Sequence, residues 1–102
     1  MKNLAFYIQG DSMSPTLLDR DMIICSEIQS YDTIEENELY AVVTTTGAVL
    51  VKRLQQIRRN GNSQIVQLQL VADNEPSSTA CRIPMSSVRS LLKVEQTLSA
   101  SA

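Results

Sequence analysis

Apolar residues fall in short runs along most of the chain, and the runs have strand rather than helix spacing. Leu4-Ala5-Phe6-Tyr7-Ile8 is apolar and partly aromatic and predicts a first strand. Met22-Ile23-Ile24-Cys25 is continuous and β-branched at its centre, which predicts a strand buried on both faces. Glu38 to Thr44 and Ala48 to Ile57 flank Thr45-Thr46-Gly47 and predict a hairpin. Asn60-Gly61 predicts a second, two-residue hairpin turn, because both central positions of that turn type need positive φ. Gln64 to Leu70 alternates, with Val66, Leu68 and Leu70 expected inward and Gln67 and Gln69 outward. Ser26 to Asn37 is polar and holds no Gly or Pro, so it predicts a surface connection with room for one helical turn. No stretch carries a long amphipathic helical pattern. A succession of short strands without helices predicts a mostly-β fold, a coiled or barrel-like sheet.

Composition narrows the function more than the fold. The 102 residues suffice for one domain and one modest core. The hydrophobic fraction of 43% is ordinary, and no apolar run approaches the length of a membrane span. Met1 to Phe6 carries one positive charge and no long apolar centre, which makes a poor signal peptide. The net charge of −2 argues against nucleic-acid binding by this domain alone. The chain has no His, which removes histidine-based catalysis and most zinc sites. Cys25 and Cys81 are far apart and form no Cys-x-x-Cys pair, so reduced thiols and a cytoplasmic setting are the expectation. One domain over residues 1–95 and a frayed polar tail over 96–102 complete the predicted organisation.

Two stretches carry the chemistry. Gln9-Gly10-Asp11-Ser12-Met13-Ser14-Pro15-Thr16-Leu17 is rich in turn formers, and Ser12 sits in its middle, where a hydroxyl can face a cleft. Taken alone, such a stretch is more often a plain polar loop. Val49-Leu50-Val51-Lys52-Arg53-Leu54 places a lysine inside an apolar strand, and lysine is rarely buried without a partner or a task. Strand alternation puts Lys52 on the face of Leu50 and Leu54, where desolvation disfavours the charged amine. Pattern alone favours a snorkelling lysine instead. Arg53 falls on the opposite face as a solvated or salt-bridged residue. Asp19 and Asp21 read as a solvated turn, since two carboxylates without a third ligand make no cation cage.

Together, Gly10-Asp11-Ser12-Met13 and Val51-Lys52-Arg53-Leu54 resemble the LexA-type family of serine–lysine peptidase domains, which includes SOS and phage repressors, UmuD-like proteins and, more distantly, signal peptidases. The resemblance covers about Phe6 to Val94. It implies an antiparallel sheet of the LexA C-terminal domain and signal-peptidase type. It implies Ser12 as nucleophile, Lys52 as general base, and the backbone N–H groups of Ser12 and Met13 as oxyanion donors, with no cofactor. Asp73-Asn74 matches an Asn-containing segment of the family in place, and reads more readily as a structural turn than as part of a site. Arg82-Ile83-Pro84-Met85 resembles a short extended piece of the family. Ser86 to Glu95, with Val88, Leu91, Leu92 and Val94, corresponds to a strand that helps pair two protomers, so a homodimer is implied. Arg20 stands where relatives usually have glycine, which predicts a turn conformation open to a residue with a Cβ.

The same resemblance implies a transcriptional regulator that cleaves itself, stimulated by a recombinase filament and contacting DNA only through a helix-turn-helix region outside this sequence. Relatives cut at Ala-Gly or Cys-Gly, whereas the three glycines here follow Gln9, Thr46 and Asn60. The expectation is therefore a C-terminal domain of a longer protein, with the cleaved bond upstream. A UmuD-like polymerase accessory and a catalytically silent oligomerisation module are the alternatives. A signal peptidase fits less well, because the lysine strand lacks a following Pro-Gly-Asp and no membrane anchor is present in the sequence.

Overall fold

The computed structural model describes residues 3–76 and 79–100. Its strands are β1 (Asn3–Tyr7), β2 (Met22–Glu27), β3 (Leu39–Thr44), β4 (Val49–Arg59), β5 (Ile65–Val71), β6 (Cys81–Pro84) and β7 (Val88–Leu98). They form one seven-stranded sheet in the order β1-β2-β7-β3-β4-β5-β6, antiparallel throughout. The fold is mostly β, as the sequence pattern predicts, with β1 and β6 as edges rather than a closed barrel. No helix among the described residues is long and apolar enough to cross a membrane.

Successive residues of a strand face opposite sides of the sheet, and here both sides are covered in part. Ala41 and Leu92 join Ile8, Met13, Leu17, Ile23, Cys25 and Ala72 in one core cluster. Their neighbours Tyr40, Val42 and Leu91 join Ile34, Leu54, Leu68, Leu70 and Ile83 in a second. The two central strands β3 and β7 therefore contribute to both clusters, which a flat sheet with one wet face would not allow. The Tyr40 hydroxyl, deep in the second cluster, is satisfied by accepting from the Glu35 N–H at 2.8 Å.

Several local expectations need correction. The run at β2 is not buried equally on both faces: Ile23 and Cys25 are buried, while Met22 and Ile24 are only half-buried. The Asn60-Gly61 pair does not make a two-residue turn. Arg59 pairs with Ile65 across a longer loop, Ser63 adopts the left-handed conformation at φ 62°, and Asn60 Oδ1 accepts from the Asn62 and Gln64 N–H groups. That side-chain-to-backbone bonding is the competing use of Asn in turns. Val66 is exposed rather than inward, because the register shifts between Arg58 and Arg59 and turns Ile65 toward the core instead. The tail is ordered further than expected: β7 runs to Leu98 against β2. Leu91 and Leu92 are core residues of a strand flanked by β2 and β3, not a free edge.

The Asp19-Arg20-Asp21 turn also differs. Asp21 is buried, not solvated; its Oδ2 accepts from the Leu18 N–H at 2.9 Å and its Oδ1 from the Ala100 N–H at 3.2 Å. Arg20 keeps the left-handed conformation, φ 72°, that a glycine would adopt freely, rather than one comfortable for a Cβ. A left-handed non-glycine residue costs roughly 1–2 kcal/mol, partly offset by the extra unfolded-state freedom of glycine. Arg20→Gly is therefore expected to stabilise the domain by about 0.5 kcal/mol, raising Tm by roughly 2–4 °C in a thermal melt. A lowered Tm would show that the Arg20 side chain contributes more than its backbone strain costs.

Candidate active site

The serine turn follows β1 directly. Gly10, at φ 86°, makes the reversal, and a Cβ there would meet no atom within 4 Å, so the demand is conformational rather than steric. Its N–H donates to Asp19 Oδ1 at 2.7 Å. Asp11 to Ser14 closes a tight turn through the Ser14 N–H to the Asp11 carbonyl at 3.0 Å, and the Leu17 N–H reaches the Met13 carbonyl at 2.9 Å. Met13 and Leu17, each 1% exposed, drop into the first core cluster on either side of this loop. Ser12, next to Met13, remains half-buried.

Lys52 lies near the start of β4, half-buried, opposite Tyr40 in the ladder. Ser12 and Lys52 line one cleft of about 570 Å³ together with Phe6, Tyr7, Met13 and Val51. Among the described residues, neither the Ser12 hydroxyl nor the Lys52 amine takes a hydrogen-bond or ion-pair partner. The cleft also has backbone character. Among the described residues β1 pairs only with β2, and β4 meets β5 only from Arg53 onward, so Asn3–Tyr7 and Val49–Lys52 each present an edge unpaired by them. Residues of both edges line the cleft.

The residue after the lysine ties the strand to the serine loop. Arg53 donates from Nε to Asp73 Oδ1 and from Nη2 to Asp73 Oδ2, both at 2.8 Å, and from Nη1 to the Asn37 carbonyl at 2.6 Å. This is the bidentate geometry that a guanidinium and a carboxylate favour. The Asp73 side chain is only 13% exposed, and its Oδ2 also accepts from the Thr16 hydroxyl of the serine loop. The Asp73 N–H points to Met13 Sδ at 3.4 Å. Next to it, Asn74 donates from its N–H to the Ser12 carbonyl at 2.9 Å and from Nδ2 to the Asp11 carbonyl at 3.0 Å. The Arg53 hydrogen bonds, with a smaller one from Thr16, hold the Asp73 carboxyl below the usual carboxylate range against the opposing effect of burial. Cys25, in the core cluster that also holds Met13 and Leu17, has its thiol pushed up to about 11 by burial and by the nearby Glu95 carboxylate.

The mostly-β sheet carries one cleft in which a serine hydroxyl and a lysine amine both stand, the frame of a peptidase-type module. A family model described as Peptidase S24-like matches residues 2–85, and the chain belongs to that serine peptidase family. Comparison with curated proteins and with solved structures gives no match.

Ser12 and Lys52, singled out from sequence, thus come together in one cleft. Arg53 proves salt-bridged rather than solvated. What the sequence reading missed is the linkage through Asp73 and Asn74, which joins the serine loop to the lysine strand. Only the loop's match in place to relatives hinted at it; a pairing across twenty residues leaves no local pattern.

Asp73→Asn keeps the shape of the side chain but removes the ion pair, and is expected to cost about 2 kcal/mol at neutral pH. The folded carboxyl titrates below its unfolded value of about 3.9, so its stabilisation is complete above that value and is lost as pH falls through the folded one. Denaturant titrations should show the gap between wild type and Asp73→Asn closing below about pH 4. A gap that stays constant into strong acid would remove the ion pair from this account.

Proposed function

We propose that this domain is the self-processing, dimerising C-terminal part of a LexA-like transcriptional regulator, acting as a serine–lysine endopeptidase on a bond of its own parent chain. The observation that carries this reading is the shared cleft: an unengaged hydroxyl and an unengaged amine between two unpaired strand edges. Such edges suit an extended peptide, whose backbone can pair with them while its side chains meet Phe6, Tyr7 and Val51.

In the first step the Lys52 amine takes the Ser12 hydroxyl proton as Oγ adds to the peptide carbonyl. The oxyanion is held by the backbone N–H groups of Ser12 and Met13. Collapse expels the amine, which receives the proton from Lys52, and leaves an acyl ester on Ser12. Water, deprotonated by Lys52, then releases the acid and restores the hydroxyl. Only the uncharged amine can accept the first proton, so raising the pH favours the reaction. DNA contact belongs to a region outside this sequence, and a recombinase filament is the stimulating partner this reading carries.

Incubating the longer parent protein over a range of rising pH and following it by mass spectrometry should yield a fragment that contains this domain. Ser12→Ala and Lys52→Ala should each abolish that fragment, since the two groups act as a unit. Undiminished cleavage in either variant would sink the dyad and favour an oligomerisation module with no chemistry of its own.

The dimer in this reading uses the far end of β7. Among the described residues β3 pairs with β7 only as far as Lys93, so beyond it the strand has β2 on one side and no described strand on the other. Leu98 is 41% exposed there, whereas Leu92 is fully buried and unsuited to testing an interface. An unpaired edge with an apolar residue invites a second copy. Sedimentation velocity at high micromolar concentration should show a dimer, and Leu98→Asp should return it to monomer without changing the melt. A wild-type protein that stays monomeric at that concentration removes the dimer from the proposal.

A further inference from the structure

The amide groups expected to hold the oxyanion have an orientation that is set from outside their own loop. In a trans peptide the carbonyl and the following N–H point in opposite directions. The Asp11 carbonyl therefore aims the Ser12 N–H, and the Ser12 carbonyl aims the Met13 N–H. Both carbonyls are held by Asn74, one through Nδ2 at 3.0 Å and the other through the backbone N–H at 2.9 Å. Among the described residues nothing occupies the N–H of Ser12 or of Met13. Two consecutive peptide planes are thus pinned at their carbonyl ends, with their donor ends left free. The Ser14 N–H also reaches the Asp11 carbonyl, at 3.0 Å, so the first plane has a second tie and the Ser12 plane depends on Asn74 alone. Asn74 is in turn placed by its neighbour Asp73, which Arg53 and Thr16 grip from the lysine strand and from the serine loop.

From this we propose that Asn74 is a positioning residue for the oxyanion site: by holding the Asp11 and Ser12 carbonyls it directs the Ser12 and Met13 N–H groups at the developing negative charge. The inference rests on the serine–lysine reading above and assigns that site a residue outside the paired motifs. Asn74 lines no part of the cleft, so its influence falls on the chemical step and not on docking.

An alkyl phosphonofluoridate separates the two. Ser12 Oγ forms a bond to phosphorus, the P–F bond breaks and fluoride leaves with its electron pair, the hydroxyl proton passes to Lys52, and the phosphoryl oxygen lies against the same N–H groups. Saturation kinetics followed by intact-protein mass give a maximal rate and a half-saturating concentration. Asn74→Ala should lower the maximal rate roughly 10- to 100-fold, below the loss of a whole oxyanion donor, and leave half-saturation unchanged. Both variants keep the backbone N–H and remove only the Nδ2 bond; Asn74→Asp also sets an acceptor against the Asp11 carbonyl and should react at least as slowly. In 15N-labelled protein the Ser12 amide signal, whose peptide plane the Nδ2 bond holds, should move in both variants while the core signals of Leu68 and Leu92 stay in place. A wild-type protein as inert as Ser12→Ala overturns the serine–lysine reading itself. A reactive wild type matched by both Asn74 variants in maximal rate, or variants altered only in half-saturation, overturns the role of Asn74 while leaving the dyad standing.

Discussion

The burial of Met13 and Leu17 is the constraint on which the site depends. A polar turn of Gly, Asp, Ser, Pro and Thr has no core of its own, and conformational entropy would otherwise spread it over many shapes. Two apolar side chains taken fully out of water contribute about 3–6 kcal/mol together, more than the roughly 2 kcal/mol expected of the neighbouring ion pair. The apolar anchors therefore hold the loop against the sheet, and the polar contacts decide how it is turned. Asp19 on Gly10, Thr16 on Asp73 and Asn74 on two carbonyls are directional, and each fixes a rotation that hydrophobic burial leaves free.

The strands were largely legible because their signal is local. Alternation located β3, β4 and β5 to within a residue or two, and the apolar runs located β1 and β2. Ser12 and Lys52 were legible because each breaks its surroundings: a hydroxyl within a turn cluster, a lysine within an apolar strand. What escaped was set by partners distant in sequence. Asp21 looked like a solvated turn residue until the Ala100 N–H, 79 positions away, closed over it. Val66 fitted the inward rhythm of its strand until a register shift in its ladder with β4 turned it out. Asn60-Gly61 failed for the opposite reason: the Asn side chain satisfied its own loop and made the shorter turn unnecessary.

Arg20 shows how much local misfit a well-braced loop tolerates. Its N–H donates to the Ile8 carbonyl at 2.7 Å, and the Ile8 N–H donates to the Asp21 carbonyl at 2.8 Å. With Ile8 buried and Asp21 fixed on both oxygens, the residue between is held in a left-handed conformation that its own Cβ disfavours. The surrounding bonds over-determine the turn, which is why a bulky cation can stand where a glycine would be free of strain.

The place of β7 bears on when these parts meet. It is the last strand in the sequence and lies between β2 and β3 in the sheet, so no ladder joins β1–β2 to β3–β6 until it is inserted. On the ribosome the chain emerges from its amino end, and long-range pairing waits for the residues that complete it. The serine loop is carried by the first of these two sheet halves and the lysine strand by the second. Translation past Leu98 is what makes the strand scaffold between them continuous, and a nascent chain short of that point holds hydroxyl and amine on halves that no ladder yet joins.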